Sequence, residues 1–171
     1  MTFYRCIKIV RFEEEGKTKY SFEDGMLKIV WLPTSSQFGF LLKNKTSHSI
    51  KVIWDDAGYV DESGMSKRVL HKGVKYADRN NPQPPTIVVR GAIISDIVFP
   101  TDNVEYVSGR YGHWKEVPLL PNNGKQKSDI ESKAKSVVGK RIQVLLPTKI
   151  EGVVNEYIYV FSIDGYSITT K

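Results

Sequence analysis

The chain has 171 residues, of which 40% are hydrophobic and 26% charged, and 25 basic against 19 acidic residues give a formal net charge of +6. These values exclude a wholly disordered chain and are sufficient for one domain, residues 1–171, with its own core. The single cysteine, Cys6, excludes an internal disulfide, and no apolar run approaches the ~18 residues of a membrane-spanning helix.

Short apolar runs separated by turn residues predict strands in the first third of the chain. We predict these strands over residues 3–12, 19–22, 26–32, 38–44 and 49–55. The pair Asp24-Gly25 predicts a hairpin turn. The formal glycosylation sequon Asn44-Lys45-Thr46 is interpreted as a second hairpin turn, because asparagine tolerates tight bends. In the last run Ile50, Val52 and Trp54 share one face, so Trp54 is expected to be a core residue.

An acidic turn follows this strand, and it holds four acids within eight positions: Asp55, Asp56, Asp61 and Glu62. Closely spaced carboxylates could hold a calcium ion, but the order DDAGYVDESG does not match the ligand spacing of an EF-hand loop. We therefore favour a strand end and a solvated loop, with Gly58 and Gly64 supplying unusual backbone angles. A calcium site built from the four acids is retained as an alternative.

The middle of the chain continues the β pattern around one irregular loop. Residues 75–85 carry three prolines and two adjacent asparagines, which predicts a loop. Strands are predicted over residues 66–72, 86–91, 92–100, 103–109 and 113–120. The last two are expected to be edge pieces, because Pro118 interrupts a hydrogen-bonded ladder.

The last third of the chain begins with a polar connector, 121–127, and one helix. Residues 128–138 place Ile130, Ala134, Val137 and Val138 at helical spacing. Ser128 and Glu131 fit a capping box, and Gly139 is placed to end the helix. The runs 140–147 and 155–163 then predict a closing hairpin, with Tyr157, Tyr159 and Phe161 on one face.

A run of aromatic and basic residues, 106–115, is the best candidate for a recognition loop. It contains Arg110, Tyr111, His113, Trp114 and Lys115. Single-strand nucleic-acid binders interleave such residues, and so do protein- and glycan-binding loops. We rank aromatics folded back on the protein first, a protein or glycan partner second and nucleic acid third. Any recognition surface is expected here, with the loop 75–85 beside it.

No catalytic motif is found in the sequence. The three histidines, His48, His71 and His113, lie on separate segments without metal-ligand spacing. Nucleophile motifs and glycine-rich phosphate loops are missing. We therefore predict no enzymatic activity and no cofactor.

Two stretches, FGFLLKNKTSHSIKVIWDDAGYVDESG and TIVVRGAIISDIVFP, resemble immunoglobulin-like sandwich modules of bacterial envelope proteins and lipoproteins. The resemblance covers about residues 37–100 and implies an immunoglobulin-like antiparallel β-sandwich that serves as a non-enzymatic binding or structural module. The N-terminal run, broken by Arg5, Lys8 and Arg11, does not fit a signal peptide. We expect a cytoplasmic protein, or an extracytoplasmic one if an export signal has been removed. A free sheet edge would also allow oligomers to form by strand addition.

Overall fold

The computed structural model describes residues 2–7, 10–120 and 127–166. Strands dominate, so the predicted all-β class is confirmed. In chain order they are β1 (Thr2–Ile7), β2 (Val10–Glu14), β3 (Lys17–Glu23), β4 (Leu27–Pro33), β5 (Phe38–Asn44), β6 (Ile50–Val52), β7 (Gly58–Val60), β8 (Ser66–Leu70), β9 (Thr86–Val88), β10 (Ile93–Pro100), β11 (Val104–Val107), β12 (His113–Glu116), β13 (Arg141–Ile150) and β14 (Val153–Ser162). The helical elements are α1 (Lys127–Val137) and three single 3-10 turns, Trp54–Asp56, Tyr76–Asp78 and Thr101–Asn103.

Twelve strands are linked by backbone pairing into two layers. One layer has the order β2-β3-β4-β5-β10, and the other contains β1, β14 and β13 with β6, β7, β8 and β9. The layers are joined where β10 pairs with β8, at Phe99 opposite Leu70. Among the strands that the structure describes, all pairs are antiparallel except that of β1, which runs parallel to β14. The strands β11 and β12 form a separate two-stranded ribbon.

Aromatic side chains fill the space between the two layers. The ring of Trp31 on β4 lies 5.0 Å from that of Tyr159 on β14, and Phe38 on β5 lies 4.8 Å from Phe161. Tyr157, Tyr159 and Phe161 are all buried, as their alternation predicts. Two sheets packed through such contacts fit a β-sandwich.

Two predicted strands are corrected by the structure. The run 3–12 is not one strand, because β1 pairs with β14 in one layer while β2 pairs with β3 in the other. The run 49–55 ends as a strand at Val52, and the chain then makes a 3-10 turn. Trp54 lies on that turn and is fully buried, so its predicted core role is confirmed.

One predicted turn is confirmed and another is wrong. Asp24 closes the β3–β4 hairpin, since its Oδ1 accepts hydrogen bonds from the backbone N–H groups of Met26 and Leu27. The residues after Asn44 do not form a hairpin, because they lead from β5 to β6 in the opposite layer. Asn44 is fully buried, and its amide donates to the carbonyls of His48 and Val88. It therefore holds a corner of the fold and is not accessible to a glycan in the folded protein.

The helix α1 lies within one residue of its predicted position. It begins at Lys127, so Ser128 is inside the first turn and does not occupy the predicted cap position. Ala134 and Val137 are buried, whereas Val138 is exposed. Gly139 has φ +82° and follows the helix as predicted. The described residues hold no helix with the length and apolar content needed to cross a bilayer, and residues 121–126 of the predicted connector lie outside them.

Candidate functional site

The predicted recognition loop is a β-hairpin, residues 104–116, which we call the aromatic hairpin. Tyr106 pairs with Trp114 across the two strands, and Val107 pairs with His113. Successive side chains of a strand point to opposite faces. Trp114 is therefore on one face with Tyr106, and His113 and Lys115 are on the other. Arg110 and Tyr111 lie in the turn, so the five predicted residues are divided among three places.

Trp114 supports the aromatic hairpin from below. It is half-buried and packs against a small hydrophobic cluster formed by Leu70, Phe99 and Val104. Its ring lies 5.2 Å from the ring of Tyr106 and 6.2 Å from that of Tyr76. These contacts make Trp114 the anchor of the hairpin. For this residue they agree with the interpretation ranked first, in which the aromatics fold back on the protein.

The tip of the aromatic hairpin presents its other aromatics to solvent. Tyr111 is 81% exposed and Tyr106 is 58% exposed. The guanidinium of Arg110 lies 5.8 Å from the Tyr111 ring. His113 is exposed, and its Nδ1 lies 3.3 Å from the carbonyl oxygen of Tyr111. The tip therefore offers Tyr111 with a neighbouring cation, and Tyr106 on β11 adds a second exposed ring.

Gly112 permits this arrangement. A Cβ at this position would lie 2.1 Å from the hydroxyl oxygen of Tyr106. A larger residue at this position would therefore make the exposed Tyr106 ring shift.

The loop 75–85 lies against the aromatic hairpin, as the sequence predicted. The hydroxyl of Tyr76 donates a hydrogen bond of 2.5 Å to Glu116 Oε1. Burial, followed by the hydrogen bond and the charge of Glu116, raises the pKa of Tyr76 to about 12. The guanidinium of Arg79 lies 5.0 Å above the Trp114 ring, a cation–π contact. Two side chains of the loop therefore hold β12 from one side.

The four acids of the acidic turn differ in their contacts and in their exposure to solvent. Asp55 Oδ1 accepts hydrogen bonds from Arg68 Nη2, at 2.8 Å, and from the backbone N–H of Gln83, at 3.0 Å. Asp56 is exposed and Glu62 is half-buried. Asp55 thus connects three segments of the chain, and no spacing in the sequence predicts these contacts.

Asp61 folds its own turn. Its Oδ1 accepts from the backbone N–H groups of Ser63 and Met65, and its Oδ2 lies 3.3 Å from the ammonium of Lys67. Burial raises the pKa of Asp61, but the hydrogen bonds from Ser63, Met65 and Lys67 outweigh burial and lower it. No three acidic, histidine or cysteine side chains of the described residues are grouped as a metal ion requires. The calcium site stays a prediction.

A buried histidine–aspartate pair was missed by the sequence analysis. The His71 ring stacks on Trp54 at 4.4 Å, and its Nδ1 lies 3.3 Å from Asp96 Oδ2. Asp96 is 7% exposed and also accepts from the backbone N–H of Lys72. The signal in the sequence was the position of Asp96 between Ile94 and Val98, where the alternation of β10 calls for an inward apolar residue.

Such a pair can orient an imidazole for proton transfer. Among the described residues, however, no hydroxyl or thiol side chain is hydrogen-bonded to His71. His71 directly follows β8, so the pair links the end of that strand in one layer to β10 in the other.

Comparison with known protein families, with characterised proteins and with solved structures finds no match to this chain.

Proposed function

We propose that this protein is a non-enzymatic β-sandwich binding module that recognises a protein partner through the aromatic hairpin. The observation that supports it is the exposure of Tyr111 in the turn and of Tyr106 on β11, on a hairpin that Trp114 anchors to the small hydrophobic cluster. Tyrosine and arginine are enriched among the residues that dominate the binding energy of protein interfaces. A hairpin that is already ordered loses less conformational entropy when it binds.

The charge of the aromatic hairpin favours a protein over nucleic acid. Its two basic residues, Arg110 and Lys115, are balanced by Glu105 and Glu116. Nucleic-acid affinity depends on neutralising phosphates with an excess of basic side chains. The hairpin has exposed rings but no such excess, and a protein surface with an apolar pocket matches this chemistry better. Nucleic acid is the alternative that the experiment must separate.

We further propose that the protein is related to the immunoglobulin-like modules of bacterial envelope proteins. The two packed layers support it. The order β2-β3-β4-β5, four strands consecutive in the chain, departs from the Greek-key order of immunoglobulin sheets. We therefore base the proposed binding function on the hairpin alone, and the bacterial envelope location stays a prediction.

The test is proximity capture from the tip of the aromatic hairpin. A photo-crosslinking residue is introduced at position 108, both in the wild-type protein and in a Tyr111→Ala variant, to capture proteins that bind the hairpin. The matched control is Met65→Ala, since Met65 is exposed at a different turn. We expect one captured protein that is lost in Tyr111→Ala and kept in Met65→Ala. The purified partner is then titrated against both variants.

A parallel titration with a single-stranded oligonucleotide at about 50 and 200 mM salt covers the alternative. Binding that falls steeply with salt and is lost in Tyr111→Ala would favour nucleic acid. Capture that is identical in wild type and Tyr111→Ala would overturn the assignment of the surface.

A further inference from the structure

We propose that Asp55 and Arg68 are positioning residues for the aromatic hairpin, and that they act on it through the loop 75–85. The inference rests on the proposed function only where it concerns the effect of these residues on partner binding. The structural part concerns how the hairpin is held, and it can be tested without a partner.

The first step is the attachment of the loop to the body of the protein. Arg68 on β8 donates through Nη1 to the carbonyl of Asn80, at 3.0 Å, and through Nη2 to that of Asn81, at 2.6 Å. The same Nη2 donates to Asp55 Oδ1. One guanidinium therefore holds two consecutive loop carbonyls and is itself held by a carboxylate.

The second step is the attachment of Gln83, which fixes the far end of the loop. Its backbone N–H donates to Asp55 Oδ1, and its side-chain amide donates to the carbonyl of Val69 at 2.7 Å. Gln83 is only 4% exposed. Asp55 is thus shared by Arg68 and Gln83, and removal of its carboxylate takes one hydrogen bond from each of them at once. Hydrogen bonds that share members in this way are mutually dependent.

The third step leads from the loop to the hairpin. Tyr76 and Arg79 lie in the same loop within four positions of Asn80, and both contact β12. Arg79 Nη1 also donates to the carbonyl of Tyr76, at 3.1 Å, which keeps these two residues together. An isolated two-stranded ribbon is only marginally stable in water. The ribbon β11–β12 pairs with no other described strand, so the contacts from the loop add to the packing of Trp114 on the small hydrophobic cluster in holding it.

Asp55 in the acidic turn and the aromatic hairpin are therefore connected by one continuous series of contacts, which we call the unit. The unit runs from Asp55 and Arg68 through residues 76–83 to Trp114, and from Trp114 to Tyr106 at the exposed surface. We call the contacts of Asp55 and Arg68 with the loop 75–85 the clamp. Weakening the clamp is expected to increase opening of the hairpin while the sandwich core stays closed, because local openings involve contiguous cooperative units.

The test is amide hydrogen exchange on Asp55→Ala, Asp55→Asn and wild type. Asparagine keeps a side-chain oxygen that can accept from Gln83 but loses the charge facing Arg68. We expect exchange in β11 and β12 to be about tenfold faster in Asp55→Ala and less affected in Asp55→Asn, in proportion to the hydrogen bonds lost. Exchange in β4 and β5 is expected to be unchanged.

The matched control is Glu23→Gln. It removes an ion pair of similar length, with Lys45 at 2.8 Å, whose members lie outside the loop and the hairpin. We expect no change in β11 or β12 from this variant. Faster exchange confined to residues 75–85 in either Asp55 variant would overturn the inference. If Asp55→Ala unfolds, the comparison of Asp55→Asn with wild type decides the question by the same criterion.

The result is distinguishable from failure of the proposed function. Hydrogen exchange reports on the hairpin whether or not it binds a protein. If capture is lost in Tyr111→Ala but exchange in β11 and β12 is unchanged in the Asp55 variants, the proposed function is supported and the clamp is contradicted. The converse pattern would leave the clamp and remove the function.

Discussion

Tyr111 and Trp114 lie three residues apart in the chain, and the structure gives them opposite environments. Trp114 packs on the small hydrophobic cluster beneath the hairpin, whereas Tyr111 is largely in solvent. The sequence places both aromatics in one predicted recognition loop. Their separation depends on the register of the hairpin, with Tyr106 opposite Trp114, which alternation within either strand cannot specify.

The two residues should differ in their effect on stability. Tyr111→Ala is expected to change the free energy of unfolding by less than about 0.5 kcal/mol, as is usual for surface positions. Trp114→Ala removes a ring that packs on Tyr76, Tyr106 and Arg79, and should cost about 3 kcal/mol. Urea unfolding of both variants measures these values. Equal losses in the two variants would contradict the separation.

At the scale of single residues the sequence predicted burial well where alternation is regular. Trp54 and the row Tyr157, Tyr159 and Phe161 are buried as expected. It did not predict the partners of polar residues. Asp55 meets Arg68 and Gln83 from segments 13 and 28 positions away, and spacing in a sequence contains no information about such contacts.

Two turns of the same chemistry connect neighbouring strands of the fold. Glu15-Gly16 joins β2 to β3 with φ angles of +53° and +70°, and Glu151-Gly152 joins β13 to β14 with φ angles of +49° and +84°. Two-residue hairpin turns with both φ angles positive favour asparagine followed by glycine. Glutamate occupies the left-handed region at a cost that asparagine avoids.

Glu151→Asn and Glu15→Asn should therefore each stabilise the protein by about 0.5 to 1 kcal/mol. Glu151 also lies 2.8 Å from His48, but both side chains are mostly exposed, so loss of this pair should cost little. Chemical denaturation measures the gain, and the double variant should give the sum of the two. Gly152→Ala is the opposing control and should be destabilising. Loss of stability in both asparagine variants would contradict the turn geometry.

At the acidic turn we expect calcium to have no effect on the melting temperature. Asp55 and Asp61 each face a cationic side chain and accept backbone hydrogen bonds, and a bound ion would have to displace them. A ligand present at one hundred times its dissociation constant would stabilise the folded state by about 2.7 kcal/mol, a shift that a melt detects readily. Melts with calcium and with chelator test this. A rise with calcium that disappears when Asp55 and Asp61 are both changed to asparagine would establish a site.

At the scale of the whole molecule, the sequence predicted most strands but not how they are assembled. Apolar runs and turn residues mark each strand locally. The pairing of β1 with β14, at opposite ends of the chain, and the assignment of β1 and β2 to different layers depend on contacts between distant segments. The bend of the chain into the second layer at Asn44 likewise depends on a partner, Val88, that lies 44 positions away.

The core contains tyrosines whose hydroxyls are isolated. Tyr59 and Tyr159 are buried, and no described residue accepts or donates a hydrogen bond at either hydroxyl. Burial raises the pKa of Tyr159 well above its ordinary value, and the neighbouring Tyr157 and Asp24 raise it further. Burial and then the carboxylates of Glu62 and Asp61 raise the pKa of Tyr59 in the same direction. The sandwich as a whole therefore keeps these groups protonated in alkaline solution.

We expect the protein to lose stability steeply above about pH 10. The unfolded chain releases the tyrosine protons near that pH, while the folded protein keeps them. The unfolded state then binds fewer protons than the folded state, so stability falls as pH rises by about 1.4 kcal/mol per pH unit for each such tyrosine. Unfolding measured by urea at pH 8, 10 and 11, with Tyr159→Phe as the test variant, isolates one of them.

Phenylalanine at position 159 has no proton to lose. The decline above about pH 10 should therefore be shallower in Tyr159→Phe by about 1.4 kcal/mol per pH unit. At pH 8 this variant should be at least as stable as wild type, because it removes a buried hydroxyl that lacks a partner among the described residues. Tyr111→Phe is the control, since that ring is exposed, and its profile should match wild type. Identical slopes in wild type and Tyr159→Phe would show that Tyr159 ionises in the folded protein as readily as in the unfolded chain.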